Sequence, residues 1–182
     1  RLRGMLQSRP DWCISRQRSW GLPIPAFMKE GFETLLTQKS VRAVAQTVRK
    51  EGAGFWFRAS VEDILADYDP AQDEEAPAWL REKGKAGLSE LSASQDIFDV
   101  WFESGSSWNA VLKERGLGYP SEYYIEGSDQ HRGWFQLSLL PSLVSQGRAP
   151  FKSLLTHGFI VDAQGRKMSK SVGNTINVQD LL

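Results

Sequence analysis

The sequence has little cysteine and histidine, with Cys13 the only cysteine and His131 and His157 the only histidines. A single cysteine excludes an internal disulfide and any zinc site built from several cysteines. No apolar run reaches the roughly 18 residues that a membrane-spanning helix needs, so no membrane span is predicted. Net charge is also absent, because 22 basic residues balance 22 acidic ones, and overall charge therefore gives no argument for a polyanionic partner.

The hydrophobic fraction of 41% is enough for a packed core, and 182 residues suffice for one domain or slightly more. Residues 1–5, Arg-Leu-Arg-Gly-Met, resemble neither a signal peptide nor a natural start. We therefore expect the chain to be a segment of a longer polypeptide.

Charge is unevenly distributed along the chain. Residues 1–20 hold five arginines against one aspartate, whereas residues 62–75 hold seven acidic residues and no basic one. The arginine cluster fits either contact with phosphate groups or an ordinary solvated surface.

The first half of the chain predicts one clear helix, near Ser40–Glu51. Gly52 follows as a stop signal, and apolar residues recur at helical spacing at Val41, Val44, Ala45 and Val48. Residues 61–95 show weak periodicity, and we expect a short helix followed by an irregular, mobile connection.

From Asp96 onward the pattern changes to that of an α/β fold. Tyr123–Glu126 and Leu154–Val161 are predicted strands, and a helix between them carries Trp134, Leu137, Leu140 and Val144 at helical spacing, with Pro141 expected to kink it. Asp162–Gly165 has turn chemistry, and Asn177–Asp180 looks like a cap that starts a further helix. Strand–helix–strand spacing of this kind predicts half of a nucleotide-binding parallel sheet.

The most distinctive segment is Gly165-Arg-Lys-Met-Ser-Lys-Ser171, which is followed by Val172-Gly-Asn174. Lys167 and Lys170 are close enough in sequence to reach one anion, and Ser169 or Ser171 can add hydrogen bonds. Such a loop suits a polyphosphate whose charge grows as a bond breaks. The residue types alone also fit a solvated basic turn, and the glycine spacing is not that of a Walker loop.

A second segment, Tyr124-Ile-Glu-Gly-Ser-Asp-Gln-His-Arg-Gly-Trp-Phe135, runs from a strand end into a helix. Ligands bind at the carboxyl ends of strands in open α/β sheets, where an acidic residue often takes ribose hydroxyls. Spacing alone leaves two interpretations of Asp129, a ribose ligand or a helix cap. Likewise it leaves Trp134 as a pocket residue or as ordinary core.

These two strings together resemble the class I aminoacyl-tRNA synthetases, and the second resembles their isoleucine-specific branch. The resemblance implies an α/β fold, namely the C-terminal half of a Rossmann-like nucleotide-binding catalytic domain, with an α+β connective region in the first half. It also implies that residues 1–95 follow the editing insertion of the family, and that residues 96–182 form the second half of the catalytic domain.

The resemblance further implies roles for individual residues. Lys167 and Lys170 would be catalytic and would hold the ATP phosphates, while Met168 packs the loop and Ser169 contributes to nucleotide binding. The remaining adenylate-binding residues would be Glu126, Gly127, Asp129, Gln130, His157 and Gly158. Trp101, Trp134 and Gln130 would line the isoleucine pocket.

A third string, Asp96-Ile-Phe-Asp-Val-Trp-Phe-Glu-Ser-Gly-Ser-Ser-Trp108, carries Trp101 and is similar to a family segment. The alternative is that its aromatic residues are merely core. Glu103 stands where aspartate is common in the family, and Trp108 stands where a histidine or small polar residue is expected. We expect Trp108 to alter packing near the mouth of the pocket.

The segment Arg9–Gly21 resembles the stretch in which the chain of the family returns from its editing insertion. Arg16, Gln17, Arg18 and Trp20 would then lie near the acceptor end of the tRNA, and Cys13 would be a small buried hydrophobic residue. Many relatives carry zinc-binding cysteines just after this segment. Since Met28–Thr37 has none, no zinc is expected.

Class I synthetases also need a His-x-Gly-His motif, and the 182 residues do not contain one. The implied partners are ATP with Mg²⁺, L-isoleucine, tRNA(Ile) and the remaining domains of a cytoplasmic, monomeric parent, without which this chain is not expected to activate an amino acid. Three alternatives stay open: a non-catalytic RNA-binding fragment, a plain nucleotide-binding module and a valyl-type relative.

Overall fold

The computed structural model describes residues 2–177 and residue 179. The chain divides into two compact units, one of Trp12–Val100 and one of the residues up to Asp11 together with those from Trp101 onward. The division into residues 1–95 and 96–182 refers to the domains of a longer parent and stays a prediction.

The unit Trp12–Val100 combines short helices with two small antiparallel strand pairs. Strand β1 (Ser15–Arg16) pairs with β4 (Ile97–Phe98), and β2 (Phe27–Met28) pairs with β3 (Ser92–Ala93). Its α-helices are α2 (Gln38–Glu51), α3 (Val61–Ile64) and α4 (Ala78–Lys83), joined by 3₁₀ turns at Ala53–Phe57, Pro70–Gln72 and Gly84–Glu90.

Helix α2 confirms the helix predicted near Ser40–Glu51. It starts with a capping box, because the Ser40 N–H donates to the Thr37 hydroxyl while the Thr37 N–H donates to the Ser40 hydroxyl. It ends at Gly52, whose φ of 80° suits glycine. The predicted buried face was wrong for Ala45, which is exposed. Thr47 is buried instead, since its hydroxyl donates to the Ile64 carbonyl at 2.9 Å.

The prediction of an irregular connection over residues 61–95 was wrong. This segment forms α3, α4, β3 and two 3₁₀ turns, and it supplies more than half of the apolar core of its unit. The core consists of Phe27, Leu35, Ala43, Val44, Trp56, Val61, Ile64, Leu65, Tyr68, Ala76, Leu80, Leu88 and Leu91. Its helices have only a few residues each, so no apolar periodicity could develop.

Buried Asp73 ties this segment to the start of α2. The side chain is 1% exposed and accepts hydrogen bonds from the hydroxyls of Thr37 and Tyr68, the latter at 2.7 Å. Burial alone would raise the pKa of Asp73, but the hydrogen bonds from Thr37 and Tyr68 outweigh it and hold that pKa below its ordinary value. Burial raises the pKa of the Tyr68 hydroxyl, which therefore stays a donor at neutral pH.

The loop after β2 is held by cation contacts. The Lys29 ammonium lies 4.4 Å from the centroid of the Phe32 ring and 4.5 Å from that of Trp79, and it pairs with the Glu90 carboxylate. These contacts stabilise the stretch Met28–Thr37, for which the absence of zinc stays a prediction.

The second unit contains a parallel strand pair. Its elements are α1 (Leu2–Gln7), α5 (Val100–Gly105, whose first residue lies in the other unit), a π-helical turn at Trp108–Lys113, β5 (Ser121–Gly127), a 3₁₀ turn at Ser128–Arg132, α6 (Trp134–Gln146) and β6 (Phe151–His157). Strands β5 and β6 run parallel, from Ser121 opposite Phe151 to Gly127 opposite His157, and α6 connects them. The predicted strand–helix–strand order is confirmed, although the second strand begins earlier and ends earlier than the predicted 154–161.

The predicted buried face of helix α6 is confirmed for Leu137 but not for Val144. Phe135 and Ser138 are fully buried, whereas Val144 is 87% exposed. Pro141 lies inside the helix and has no N–H for the Leu137 carbonyl. Gly105 packs against that carbonyl, since a Cβ on Gly105 would lie 2.0 Å from its oxygen, and only glycine fits there.

Within the described residues, no helix is long and apolar enough to cross a membrane.

The Gln179 N–H donates to Asn177 Oδ1 at 3.3 Å, but the helix predicted to start at Asn177–Asp180 lies outside the described residues.

We expect Asp73→Asn to lower the free energy of unfolding of the Trp12–Val100 unit by about 2 kcal/mol at neutral pH. Both hydroxyls donate to Oδ2 of Asp73 and the Glu75 N–H donates to Oδ1, so the NH₂ group of an asparagine would face one of these donors. The folded-state pKa of Asp73 is depressed, so its stabilisation is complete above the unfolded pKa of about 4 and is lost as pH falls through the folded pKa. Urea denaturation of both proteins should therefore show a constant difference from about pH 7 to pH 5 that shrinks below about pH 4.

Asp67→Asn is the matched control, since the Asp67 carboxylate is 52% exposed and pairs with exposed Lys50. We expect it to change stability by less than about 1 kcal/mol. Equal effects of the two substitutions would contradict the role assigned to Asp73.

Candidate nucleotide and amino-acid site

The register of β5 and β6 places two predicted ligand-binding segments side by side. Gly127 ends β5 opposite His157, which ends β6, so Gly127–Gln130 and His157–Gly158 emerge at the same edge of the strand pair. This edge is the one at which open parallel sheets bind ligands.

Gly127 is buried, and a side chain here would displace the Asp129 carboxylate. A Cβ at this position would lie 2.6 Å from Asp129 Oδ1 and 3.7 Å from Phe159 Cε1. The strand end therefore needs glycine for the Asp129 carboxylate to turn back over it.

The side chain of Gln130, and not that of Asp129, binds the first N–H of helix α6. Its Oε1 accepts a hydrogen bond from the Trp134 N–H at 3.0 Å, and its Nε2 donates to Asp129 Oδ2 at 2.9 Å. The structure therefore does not support the interpretation of Asp129 as a helix cap, because the neighbouring Gln130 accepts this N–H. The Asp129 carboxylate is exposed and oriented by the Gln130 amide.

The two predicted pocket tryptophans meet around Gly133. A Cβ on Gly133 would lie 2.6 Å from Gln130 Oε1 and 3.2 Å from Trp101 Cη2. The Trp134 ring stacks on buried Tyr124 at a centroid distance of 4.2 Å, and its Nε1–H donates to the Ser104 carbonyl at 3.0 Å. Trp134 is therefore fixed on one face by the strand, and Trp101 is 41% exposed.

Trp108 is buried in the π-helical turn and packs on Tyr119 at 5.2 Å between ring centroids. In the described part of the chain, its Nε1–H has no hydrogen-bond partner. A cavity of about 320 Å³ lies between this turn and β5 and is lined in part by Trp108, Tyr124, Glu126 and Trp134. Trp108 is thus part of the wall of this cavity, and its effect on the mouth of the amino-acid pocket stays a prediction.

The lysine segment forms a hairpin-like loop behind the strand edge. Val161 forms an antiparallel bridge with Lys167, and the Met168 N–H donates to the Ile160 carbonyl at 3.1 Å. Gly165, with φ of 76°, closes the predicted turn through a hydrogen bond to the Asp162 carbonyl at 2.9 Å. Met168 is half-buried, and Lys170 is exposed in the turn that follows.

Phe159 connects the lysine loop to the strand end. The Lys167 ammonium lies 3.5 Å from the centroid of the Phe159 ring, and the edge of the same ring lies beside Gly127. One of the two predicted catalytic cations is therefore held next to the Gly127–Gln130 segment.

His157 and Gly158 are exposed, and His157 Nδ1 lies 2.8 Å from the Gly158 carbonyl oxygen. A Cβ on Gly158 would meet no atom within 4 Å. The fold alone does not require glycine here, unlike at Gly127 and Gly133.

Sequence reasoning missed three residues that shape this site, namely Phe159, Asp162 and Asn174. Asp162 Oδ2 accepts a hydrogen bond from Asn174 Nδ2 at 2.8 Å, and Oδ1 accepts one from the Arg166 N–H at 2.9 Å. These hydrogen bonds hold the pKa of Asp162 below its ordinary value, and the bond from the Asn174 amide has the largest effect. The signals in the sequence were the turn chemistry of Asp162–Gly165 and the position of Asn174 after the lysines within the same glycine-flanked segment.

The predicted tRNA-contacting residues lie in the unit Trp12–Val100. The Arg16 guanidinium forms an ion pair with Asp99 at 2.7 Å, and Gln17 Nε2 donates to Asp96 at 2.9 Å. Arg18 is exposed, and Trp20 is 79% exposed. The prediction that Cys13 is buried was wrong. The residue lies just before strand β1, and its thiol is exposed.

A comparison with protein families adds the decisive observation. The family described as tRNA synthetases class I (I, L, M and V) matches residues 1–182 of the chain. The chain belongs to the class I tRNA synthetases.

Relatives of this class I synthetase chain include several isoleucine–tRNA ligases. That of Microcystis aeruginosa is 49% identical over 97% of this chain and 17% of its own length, and that of Kosmotoga olearia is 49% identical over 100% of this chain and 19% of its own length. A chloroplastic and mitochondrial isoleucine–tRNA ligase of Arabidopsis thaliana is 45% identical over 97% of this chain and 15% of its own length. The chain thus spans less than a fifth of the length of these relatives.

The fold is similar to a solved class I synthetase structure. The AgnB2 LeuRS of Agrobacterium radiobacter K84, in a ternary complex with tRNA and LeuAMS, matches with a TM-score of 0.57 and 20% identity. The match covers 93% of this chain and 22% of the LeuRS chain. The likeness shows a class I synthetase fold with mixed helix and strand content.

We expect Gly133→Ala to disrupt the Trp101–Gln130–Trp134 arrangement. The added methyl group would force the Gln130 amide off the Trp134 N–H and press on the Trp101 ring, which should lower the free energy of unfolding by about 1–3 kcal/mol. The shift of the Gln130 side-chain NH₂ signals in an NMR spectrum, together with urea denaturation, measures both effects.

Gly54→Ala provides the comparison, since a Cβ at Gly54 would meet nothing within 4 Å and its φ is not positive. It should leave the Gln130 signals in place. Unchanged Gln130 signals in Gly133→Ala would contradict the proposed crowding.

Proposed function

We propose that the chain is part of an isoleucine–tRNA ligase. The parent would use ATP, as its Mg²⁺ complex, to activate L-isoleucine to isoleucyl-adenylate, and would then transfer the isoleucyl group to tRNA(Ile). Membership of the class I family and the 49% identity to isoleucine–tRNA ligases support this proposal. The finer fold assignment, half of a Rossmann-like catalytic domain completed by the rest of the parent, goes with it and is supported by the parallel β5–α6–β6 arrangement.

The observation that carries the proposal is the position of Lys167 beside the end of β5. Through Phe159, the ammonium group is held near Gly127, where the exposed Asp129 carboxylate can accept the ribose hydroxyls of a nucleotide. Lys170 extends from the same loop into solvent. A nucleotide bound along the strand edge would thus have a carboxylate at its sugar and ammonium groups at its phosphates.

The chemistry that this arrangement supports is attack by a carboxylate on a phosphate. An isoleucine carboxylate oxygen bonds to the α-phosphorus, and the bond from that phosphorus to the oxygen bridging to the β-phosphorus breaks. Pyrophosphate leaves with the electron pair. No proton has to be removed from the nucleophile, so the residues contribute position and charge stabilisation, with Lys167 and Lys170 beside the departing phosphates.

Amino-acid recognition is proposed at Trp101, Gln130 and Trp134. Trp134 is rigid because Tyr124 stacks on it and Ser104 accepts its indole N–H, so its remaining face offers a flat apolar wall. Gln130 links this wall to Asp129 at the nucleotide edge. An apolar wall suits isoleucine and valine alike, and the valyl-type alternative is disfavoured by the identity of the relatives.

Contact with the tRNA acceptor end is proposed for Arg18 and Trp20. Both are exposed, and an exposed cation with an exposed indole suits phosphate contact and base stacking. Arg16 and Gln17 are engaged with Asp99 and Asp96, so they would hold the segment in shape.

The test replaces the matched 179-residue segment of the Microcystis aeruginosa isoleucine–tRNA ligase by this chain. We expect the chimera to catalyse isoleucine-dependent ATP–pyrophosphate exchange, and Lys167→Ala with Lys170→Ala to reduce the rate at least 100-fold, as expected for loss of charge stabilisation. The 182-residue chain alone should show no exchange, because it lacks a His-x-Gly-His motif.

A folded chimera without exchange activity would refute the proposal. Exchange that depends on valine and not on isoleucine would favour the valyl-type alternative. Binding of tRNA without any exchange would favour the non-catalytic alternative.

Gly158→Ala separates a nucleotide contact from a structural role. The methyl group meets nothing in the fold, so the free energy of unfolding should stay within about 0.5 kcal/mol of the wild type. If ATP lies against Gly158, its KM in the chimera should rise by about tenfold, equivalent to a loss of roughly 1.4 kcal/mol. An unchanged KM for ATP would remove Gly158 from the nucleotide site.

A further inference from the structure

Asp162 and Asn174 lie at the base of the lysine loop, and neither has a role in the chemistry described above. We propose that they form a positioning pair that fixes the backbone of Lys167–Ser169, and with it the approach of both lysines to the nucleotide phosphates. This inference rests on the proposed function, because it concerns how the same loop acts in adenylate formation.

The Asp162 carboxylate uses both oxygens within the loop. Oδ1 accepts from the N–H groups of Gln164 and Arg166 at 3.0 and 2.9 Å. Oδ2 accepts from Arg166 Nε and Asn174 Nδ2 at 2.9 and 2.8 Å. The side chain is 11% exposed although the loop around it is largely exposed. Because each oxygen accepts two hydrogen bonds, one orientation of the Asp162 carboxylate is favoured.

The Asn174 amide joins the two sides of the loop. Its Oδ1 accepts from the Ser169 N–H at 2.9 Å, and its Nδ2 donates to Asp162 and, at 3.3 Å, to the Lys167 carbonyl. A backbone donor on one side and a carboxylate on the other permit only this orientation of the amide.

These hydrogen bonds act on three successive residues. The Lys167 carbonyl and the Ser169 N–H are both bound to Asn174, while the intervening Met168 N–H is bound to the Ile160 carbonyl. The Lys167 side chain extends to Phe159, and Lys170 follows directly after the fixed stretch. Arg166 is the charged side chain in contact with Asp162. Asp162 and Asn174 therefore influence the lysines through the backbone and are positioning residues.

The activity test uses the chimera. Asn174→Ala removes the bonds to Ser169, Lys167 and Asp162, and we expect it to lower kcat for ATP–pyrophosphate exchange by about 100-fold, as is typical for a displacement of about 1 Å. The KM for isoleucine should not change, because the amino-acid residues are on other elements. Gln164→Ala, a side-chain change in the same loop, is the control and should leave both constants unchanged.

Asn174→Asp adds a readout that loss of folding would not give. At neutral pH it places a second carboxylate against Asp162 Oδ2, where Asn174 Nδ2 now lies at 2.8 Å. Two carboxylates at this distance share a proton and raise the pKa of the pair, and the protonated pair regains one donor. The rate of ATP–pyrophosphate exchange by the Asn174→Asp chimera, relative to the wild-type chimera, should therefore increase as pH falls from about 8 to about 6. Gln164→Glu adds the same charge nearby and should show no such increase.

Amide hydrogen exchange of the 182-residue chain tests the geometry without activity. The Ser169 N–H should exchange at least tenfold faster in Asn174→Ala, whereas the Ile64 N–H in the other unit should not change. An active chimera whose Asn174 variants keep wild-type kcat, or a Ser169 N–H that exchanges at the same rate in Asn174→Ala, would overturn the inference. An inactive wild-type chimera would instead refute the proposed function, and the hydrogen-exchange result would still decide the structural claim.

Discussion

The candidate site depends on the parallel pairing of β5 with β6. Since Gly127 lies opposite His157, each strand ends at the same level, and the segments after them emerge together. A shift of the pairing by one residue would move the Tyr124 side chain away from helix α6, where it stacks on Trp134. Trp134, whose N–H donates to Gln130, would then lose its contact with the strand. Register thus determines both the strand edge and the tryptophan arrangement.

Local features of the fold could be predicted from the sequence, because they depend on neighbours in the chain. Helix α2 has its periodicity and its glycine stop, and β5 has a run of β-forming residues before Gly127. Features that depend on distant contacts could not be predicted. Thr47 is buried because Ile64 accepts its hydroxyl hydrogen. Apolar residues of 61–91 are buried because they pack with Phe27, Leu35 and helix α2, which are distant in the sequence.

The site divides in the same way. Trp101, Gln130, Trp134 and the lysines were found because they stand in strings that resemble a family, and the structure brings the first three together around Gly133. Phe159, Asp162 and Asn174 were missed because their importance is in contacts across the loop. The Asp162–Asn174 hydrogen bond spans twelve positions of sequence and leaves no periodic signal.

The contact between Lys167 and Phe159 raises the question of how a held lysine can serve a phosphate. A cation–π contact at a partly exposed site contributes about 0.5–2 kcal/mol. A phosphate charge at about 4 Å attracts an ammonium by about 4 kcal/mol near a protein surface. In the proposed function, a phosphate would therefore replace the Phe159 ring as the partner of the Lys167 ammonium. The ring beside Gly127 keeps the cation near the strand edge, and the backbone bonds to Asn174 and Ile160 fix the point from which it extends.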